Sequence, residues 1–270
     1  MNKAVALITG GSSGIGLAMA QEWGKKGYIV YITGRNKAKL EEALQILNKQ
    51  QIEAFSIVAD AASEEDNQRT INEIVARWGR LDVLICNAGI SMRALFEEVE
   101  LEVFKQVMDI NFYGTIYSVK YALPHILKAK GSIIGVSSIN GRRGTPARSA
   151  YTASKYAMEG FFESLRTEVM HRGVKVLVVC PGFTATNIRN TALTADGSQQ
   201  GESPRDEAKM MTAEEVAEKS FKALKKGKRD LVLTTEGKMA VWLNKFIPSV
   251  VDKLVYNKMA KEKDSPFKQH

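Results

Sequence analysis

Short, almost wholly apolar runs alternate along the chain with longer stretches in which apolar residues return every three or four positions. The runs at residues 4–9, 28–33, 54–59, 81–86, 132–137, 174–180 and 231–234 predict strands. The stretches at 37–50, 64–78, 112–128, 151–172 and 213–226, with another directly after the first strand, predict helices. Strand and helix in strict alternation predict an α/β chain, a single-domain doubly wound, Rossmann-like parallel sheet with helices on both faces. Right-handed crossovers then fix its topology, and no repeat or low-complexity block interrupts the pattern.

The chemistry-bearing residues fall just after the first, second, fourth, fifth and sixth strands, the carboxyl edge where open α/β sheets bind ligands. Tyr151 and Lys155 are four residues apart in a predicted helix, so both project from one face. A free tyrosine titrates near pH ~10 and is a poor base at neutrality, whereas a cation nearby favours the phenolate. Lys155 is expected to supply that cation, letting Tyr151 exchange a proton with a substrate oxygen that Ser138 could orient. An isolated Tyr-Lys pair also suits an incidental surface contact, and its surroundings decide between the two readings.

Those surroundings begin at the first strand, which runs into Gly10-Gly11-Ser12-Ser13-Gly14-Ile15-Gly16 and then a helical pattern. Glycines at positions 10, 14 and 16 let the backbone turn tightly and approach a ligand, and the helix start offers free amides to a pyrophosphate. After the second strand the chain reads Thr33-Gly34-Arg35-Asn36, with no acid for ribose hydroxyls and an arginine suited to a 2′-phosphate. NADP(H) is therefore expected over NAD(H). Alternatively, Arg35 caps a solvated turn.

Thr9, Gly10, Gly14 and Gly16, then Asn87-Ala88-Gly89, Asn111, Ser138, Tyr151 with Lys155, and Pro181, Gly182 and Thr186 occur in an order that resembles the short-chain dehydrogenase/reductase family, over about residues 3–234. The resemblance implies Tyr151 as acid/base, Lys155 holding the nicotinamide ribose, Ser138 binding the carbonyl oxygen and Asn111 supporting a proton relay. It also implies that Asp60 contacts adenine, that Asn87, Ala88 and Gly89 border the ribose, and that Pro181, Gly182, Thr184 and Thr186 line the cofactor. The stretch from Pro181 to Asn187, then Ala195 to Ser198, and the tail resemble the subgroup of dehydrogenase/reductase family member 7 and the 11β-hydroxysteroid dehydrogenases, which act on steroid, retinoid and lipid-linked carbonyls. Family members commonly form homodimers or homotetramers, here through residues 101–128 and 151–172. Met158, Phe161, Phe162, Leu165 and Val169 supply apolar surface at helical spacing in the second of these, although core burial explains the same spacing.

The length of 270 residues suffices for one large core, and 44% hydrophobic with 25% charged residues is ordinary globular composition. A strand starting at Ala4 leaves no room for a signal peptide, and no apolar run approaches a membrane span, so a cytoplasmic protein is expected. In the family's sheet order Cys86 and Cys180 end strands separated by a third, too far apart for a disulfide, and should be buried free thiols. Neither has metal-ligand spacing and His125, His171 and His270 are scattered, so no metal is expected. A pI near 9.3 without a recognition motif gives no case for nucleic acid.

Residues 1–234 are expected to form the dinucleotide-binding and catalytic domain, with a polar, mobile substrate lid over about 187–212 and residues 235–270 as a helical extension of the same domain. Phe183 and Met92 are candidates for an apolar wall. Arg142 and Arg143 could receive an anionic group, or are solvated loop charges. From Glu214 onward there are 13 Lys+Arg against 8 Asp+Glu, so the basic excess gathers in the tail. There Met239, Trp242, Leu243 and Phe246, then, after Pro248, Val251, Leu254, Val255 and Met259, predict two short basic amphipathic helices. Such helices suit peripheral contact with an anionic membrane, or packing on the parent domain or a sister subunit.

The expected activity is NADP(H)-dependent hydride transfer between nicotinamide and a ketone or secondary alcohol, lipid-like or steroid-like. One alternative is a 3-oxoacyl-[acyl-carrier-protein] reductase whose positive surface docks an acidic carrier. Another is a non-catalytic protein that binds nucleotide as a sensor.

Overall fold

The computed structural model describes residues 3–202, 210–262 and 265–268. Seven parallel strands lie in the order β3-β2-β1-β4-β5-β6-β7. They are β1 (Val5–Ile8), β2 (Ile29–Gly34), β3 (Ala54–Val58), β4 (Val83–Cys86), β5 (Ser132–Val136), β6 (Lys175–Cys180) and β7 (Asp230–Val232). Each predicted run overlaps an observed strand, displaced by a residue or two at its ends.

The strands are apolar at consecutive positions because both faces are covered. In β1, Ala6 and Ile8 point to the face packed by α1 (Gly14–Lys25), α2 (Lys37–Lys49) and α7 (Ala213–Lys225). Val5 and Leu7 point to the opposite face, under α3 (Glu64–Trp78), α5 (Gly114–Ala129) and α6 (Ser149–Val169). Local signals set the helix ends: Asn36 and Ser63 accept the amides of Lys39 and Asp66, and Thr212 with Glu215 closes a capping box before α7.

The helix that bears Tyr151 and Lys155 is seated by its own core face. Met158, Phe162, Leu165 and Val169 are all buried against the sheet, so this stripe is core and not the subunit surface it could have been. Burying a side chain such as Phe162 contributes about 1.5–3 kcal/mol. A Cβ on Gly135 of β5 would lie 2.1 Å from the Phe162 ring, so glycine there admits the ring against the strand.

The helix expected from residue 112 starts earlier, as α4 (Leu101–Met108), and passes through one π-helical turn, Asp109–Tyr113, into α5. Beyond β7, α8 (Thr235–Phe246) and α9 (Pro248–Ala260) form the two expected tail helices, with Pro248 at the first position of the second. No described helix is long and apolar enough to cross a membrane.

Candidate active site

β1 pairs with β2 on one side and with β4 on the other, so the strand order reverses there and opens a crevice at the carboxyl ends of the strands. Asn87 and Thr9 stitch the glycine turn to β4. The Asn87 side chain donates to the carbonyls of Thr9 and Gly10, each at 3.0 Å, while the Thr9 hydroxyl accepts the amides of Asn87 and Ala88 at 3.0 and 3.1 Å. A Cβ on Gly16 would sit 2.2 Å from the Gly10 carbonyl oxygen and 2.5 Å from Asn87 Nδ2, so the helix start and turn tolerate no side chain there.

Ser13 makes no side-chain cap to α1, and no acid occupies that helix's first turn. Its leading amides therefore face the crevice uncapped, a donor set that fits a dinucleotide pyrophosphate. Thr186 touches this turn, its methyl 3.3 Å from where a Gly14 Cβ would be, and the buried Thr184 donates to Gly182 O at 3.2 Å. The Pro181 to Thr186 segment thus closes the far side. Arg35, exposed after β2, and Asp60, after β3, border one cavity of about 230 Å³ with Lys105 and Gln106. Asp60 also accepts the Ala62 amide at 2.9 Å.

Asn111 occupies the π-helical turn and its amide is fully engaged. Oδ1 accepts from Ile90 N at 2.8 Å, and Nδ2 donates to Ile90 O and to Ser154 Oγ, both at 2.9 Å. Ser154 passes the link on to the Tyr151 carbonyl at 2.8 Å. Asn111 therefore ties the Gly89-Ile90 segment to α6, and its side-chain donors are spent on that architecture.

Lys155 is buried, and its Nζ donates to Val136 O at 2.9 Å. A Cβ on Gly89 would lie 3.5 Å from that Nζ, which sets the ammonium directly beneath the segment expected to border a ribose. Burial pulls the lysine down to about 8, opposed mainly by the charge of Glu159. The Tyr151 hydroxyl lies beside Ser138, which acts to lower its pKa.

One electrostatic expectation is corrected. Burial holds Tyr151 above the ordinary tyrosine value, and the influences that lower it are the neighbouring Ser138 and the Arg148 charge, not Lys155. The Lys155 ammonium stands 5.8 Å from the Tyr151 ring centroid and is turned toward the Val136 carbonyl. Arg148, three residues before Tyr151, is held by Ser91 Oγ and the Met92 carbonyl.

Arg142 and Arg143 are neither open anion receptors nor solvated charges. Arg142 pairs with Glu159 and Asp230, and Arg143 with Asp252 of α9. Met92 is buried beside Tyr151, Ala150 and Leu193 in a small apolar cluster, whereas Phe183 is partly exposed under Lys258. The described part of the expected lid is docked: Leu193 N donates to Ser91 O at 2.9 Å and Leu193 O accepts from Arg93 N at 2.7 Å. Residues 203–209 lie outside the described residues. Cys86 and Cys180 are buried free thiols, and no group of three His, Cys, Asp or Glu among the described residues is placed to hold a metal.

Sequence reasoning missed Arg148, Ser154 and Glu159. Glu159 had a visible signal, standing four residues beyond Lys155 on the same helix face. Nothing in the sequence marked the 91–92 loop that receives Arg148.

A crevice of this construction, with a hydroxyl, a phenol and an ammonium gathered at the sheet's carboxyl edge, is that of a dinucleotide-dependent oxidoreductase. The short chain dehydrogenase family model matches residues 4–196, and the chain belongs to that family of oxidoreductases. It is 35% identical to mouse (Mus musculus) dehydrogenase/reductase SDR family member 7B over 271 residues, covering 98% of this chain and 84% of that one. It is 32% identical over 252 residues to dehydrogenase/reductase SDR family protein 7-like of Drosophila melanogaster, covering 91% and 77%. Among solved structures, a short-chain dehydrogenase from Streptomyces avermitilis superposes with a TM-score of 0.80 at 27% identity, covering 98% of this chain and 99% of that chain. An alcohol dehydrogenase from the archaeon Thermococcus sibiricus, complexed with 5-hydroxy-NADP, shares the fold at TM-score 0.73 and 23% identity, covering 86% and 96%.

Proposed function

We propose that this protein is an NADP(H)-dependent oxidoreductase interconverting a ketone and a secondary alcohol on a lipid-like or steroid-like molecule. The observation that carries the reading is the placement of the buried Tyr151 beside Ser138, one helical turn from the buried Lys155. Ser138 orients the substrate oxygen, and Tyr151 gives or takes the proton there. The bound nicotinamide supplies or accepts the hydride. Lys155 and the Asn87 to Gly89 segment would hold the nicotinamide ribose, Ser12, Ser13 and Ile15 with the glycines the pyrophosphate, and Asp60 the adenine.

Arg35, with no acid beside it at the end of β2, supports NADP(H) over NAD(H). The solved relatives include one complexed with 5-hydroxy-NADP and one complexed with NAD. The apolar cluster of Met92, Ala94 and Leu193 around Tyr151 supports an apolar carbonyl. Exposed Leu101 and Tyr113 on the α4–α5 helix and Tyr156 on α6 support a homodimer or homotetramer. We further infer a cytoplasmic enzyme that touches anionic membranes through α8 and α9, where exposed Met239, Trp242 and Phe246 lie among lysines.

The test is nicotinamide absorbance across steroid, retinoid and lipid ketones and alcohols, with both cofactors. Turnover with NADPH that falls about 10²–10⁴-fold in Tyr151→Phe is expected. Tight NADPH binding with no oxidation across the panel overturns the reading.

A further inference from the structure

The turn after Ser138 is fastened to the catalytic helix by a charged cluster that the reaction itself does not use. Arg142 follows the 3-10 turn Ile139–Gly141, and its Nη2 lies 2.7 Å from Glu159 Oε2 and 2.6 Å from Asp230 Oδ1. The other carboxylate oxygen of Glu159 accepts from Cys180 Sγ at 3.0 Å, at the end of β6. The backbones are equally close: a Cβ on Gly141 would lie 3.1 Å from Glu159 Cγ and 3.0 Å from the Lys155 carbonyl. Glu159, with a side chain only 12% exposed, thus joins the turn after β5 and the end of β6 to α6, and through Arg142 reaches Asp230 at the start of β7.

The same carboxylate follows Lys155 by one helical turn. The titratable groups that face the Lys155 ammonium are Glu159 and Tyr151 on its own helix, Cys86 at the end of β4 and Cys180 at the end of β6, with Arg142 behind Glu159. Burial pushes Cys86 up to about 12 and Cys180 higher still, so both thiols are neutral at working pH. Glu159 is then the anion that opposes the cost of burying the lysine's charge.

We propose that Glu159 is a positioning residue: clamped by Arg142, it fixes the turn that carries Ser138 against the helix that carries Tyr151 and Lys155, and its negative charge sustains the Lys155 ammonium. The proposal rests on the reading of Ser138, Tyr151 and Lys155 as the chemical centre. It makes two substitutions act in opposite directions. Glu159→Gln removes the anion, so Lys155 loses its proton at lower pH. Arg142→Gln leaves the anion and removes the cation that neutralises it, so Lys155 keeps its proton to higher pH. A merely structural loosening slows both variants without opposed titrations.

The experiment follows the Lys155 ¹³Cε resonance of nucleotide-free, lysine-labelled protein against pH, assigned with Lys155→Arg, beside kcat/KM profiles of the same variants. Expected are a midpoint about one pH unit lower in Glu159→Gln, a higher one in Arg142→Gln, one near the parent in Glu159→Asp, and a roughly tenfold loss of kcat in Glu159→Gln. Midpoints that coincide with the parent, or that move together in one direction, overturn the proposal. If Glu159→Gln does not fold, Arg142→Gln decides alone, an unshifted or lowered midpoint counting against. A parent protein without turnover would sink the catalytic reading but leave the resonance test standing, so the two failures are distinguishable.

Discussion

Arg93 and Glu262, 169 residues apart in the chain, form an ion pair of 2.8 Å with side chains only 5% and 9% exposed. The arginine belongs to the loop after β4 beside the apolar cluster of Tyr151, and the glutamate follows α9, so the tail is anchored to the substrate side of the crevice. Removing one partner of a buried pair strands the other charge and costs about 3–5 kcal/mol. Arg93→Met is expected to lose stability of that order in urea unfolding, and Arg93→Met with Glu262→Met to recover much of it. Equal stability of the single variant and the parent would show that the tail is not held by this pair.

The glycine turn makes a steric prediction. Because a Cβ at position 16 would meet the Gly10 carbonyl oxygen at 2.2 Å, Gly16→Ala must displace the turn that presents the α1 amides. NADPH affinity, read by nicotinamide fluorescence, should weaken at least about tenfold. Unaltered affinity would place the pyrophosphate elsewhere.

Arg35 is exposed beside a cavity and is expected to recognise a 2′-phosphate. A charge-assisted hydrogen bond contributes about 1.5–3 kcal/mol, so Arg35→Ala should weaken NADPH binding about ten- to a hundredfold and leave NADH nearly untouched. Equal losses for both nucleotides, measured by titration calorimetry, would remove the basis for NADP(H) preference.

Lys155, drawn down from 10.5 to about 8, sheds its charge as pH rises through that value. kcat/KM, which reports the free enzyme, should decline above about pH 8. Stability responds with the opposite sign. Between the folded value near 8 and the unfolded value near 10.5 the unfolded chain binds more protons, so this residue's contribution to stability rises with pH across that window. Lys155→Met should flatten that rise in denaturant titrations taken at a series of pH values.

Trp242 and Phe246 are 61% and 67% exposed and their ring centroids lie 5.1 Å apart on α8. Burying two such rings in a lipid interface contributes several kcal/mol, at about 1.5–3 each. Trp242→Ala with Phe246→Ala should reduce sedimentation with phosphatidylserine vesicles more than tenfold. Binding that is indifferent to the pair, or equal on uncharged vesicles, would assign this face to another partner.

Much of the fold was legible because burial on both faces of a parallel sheet writes long apolar runs, and because the crossover helices carry clear periodicity and caps such as Ser63 and Thr212. Boundaries were less so: β7 ends at Val232, since Thr234, at a φ of 65°, already caps α8. The proposed site residues were chosen by type and spacing, and the balance of forces on them was not legible. Whether Lys155 or Arg148 acts on Tyr151 depends on where two long side chains point, and those directions are set by the Val136 carbonyl and by Ser91, both remote in sequence. The fates of Arg142 and Arg143 turned likewise on distant acids, Asp230 and Asp252.

The wide turn at Asp109–Tyr113 has a consequence for the length of the chain. A π-helical turn accommodates one residue more than an α-helical turn, which offsets everything after it by about 100° about the helix axis. The buried positions Val103 and Val107 and the buried positions Ser118 and Ala122 are thereby matched to different neighbours, α6 before the turn and α3 after it. Deleting a single residue there would restore regular winding, swing one half of the long helix out of register with its partner and carry Asn111 off Ile90; the count of residues at this point is constrained as tightly as their identity.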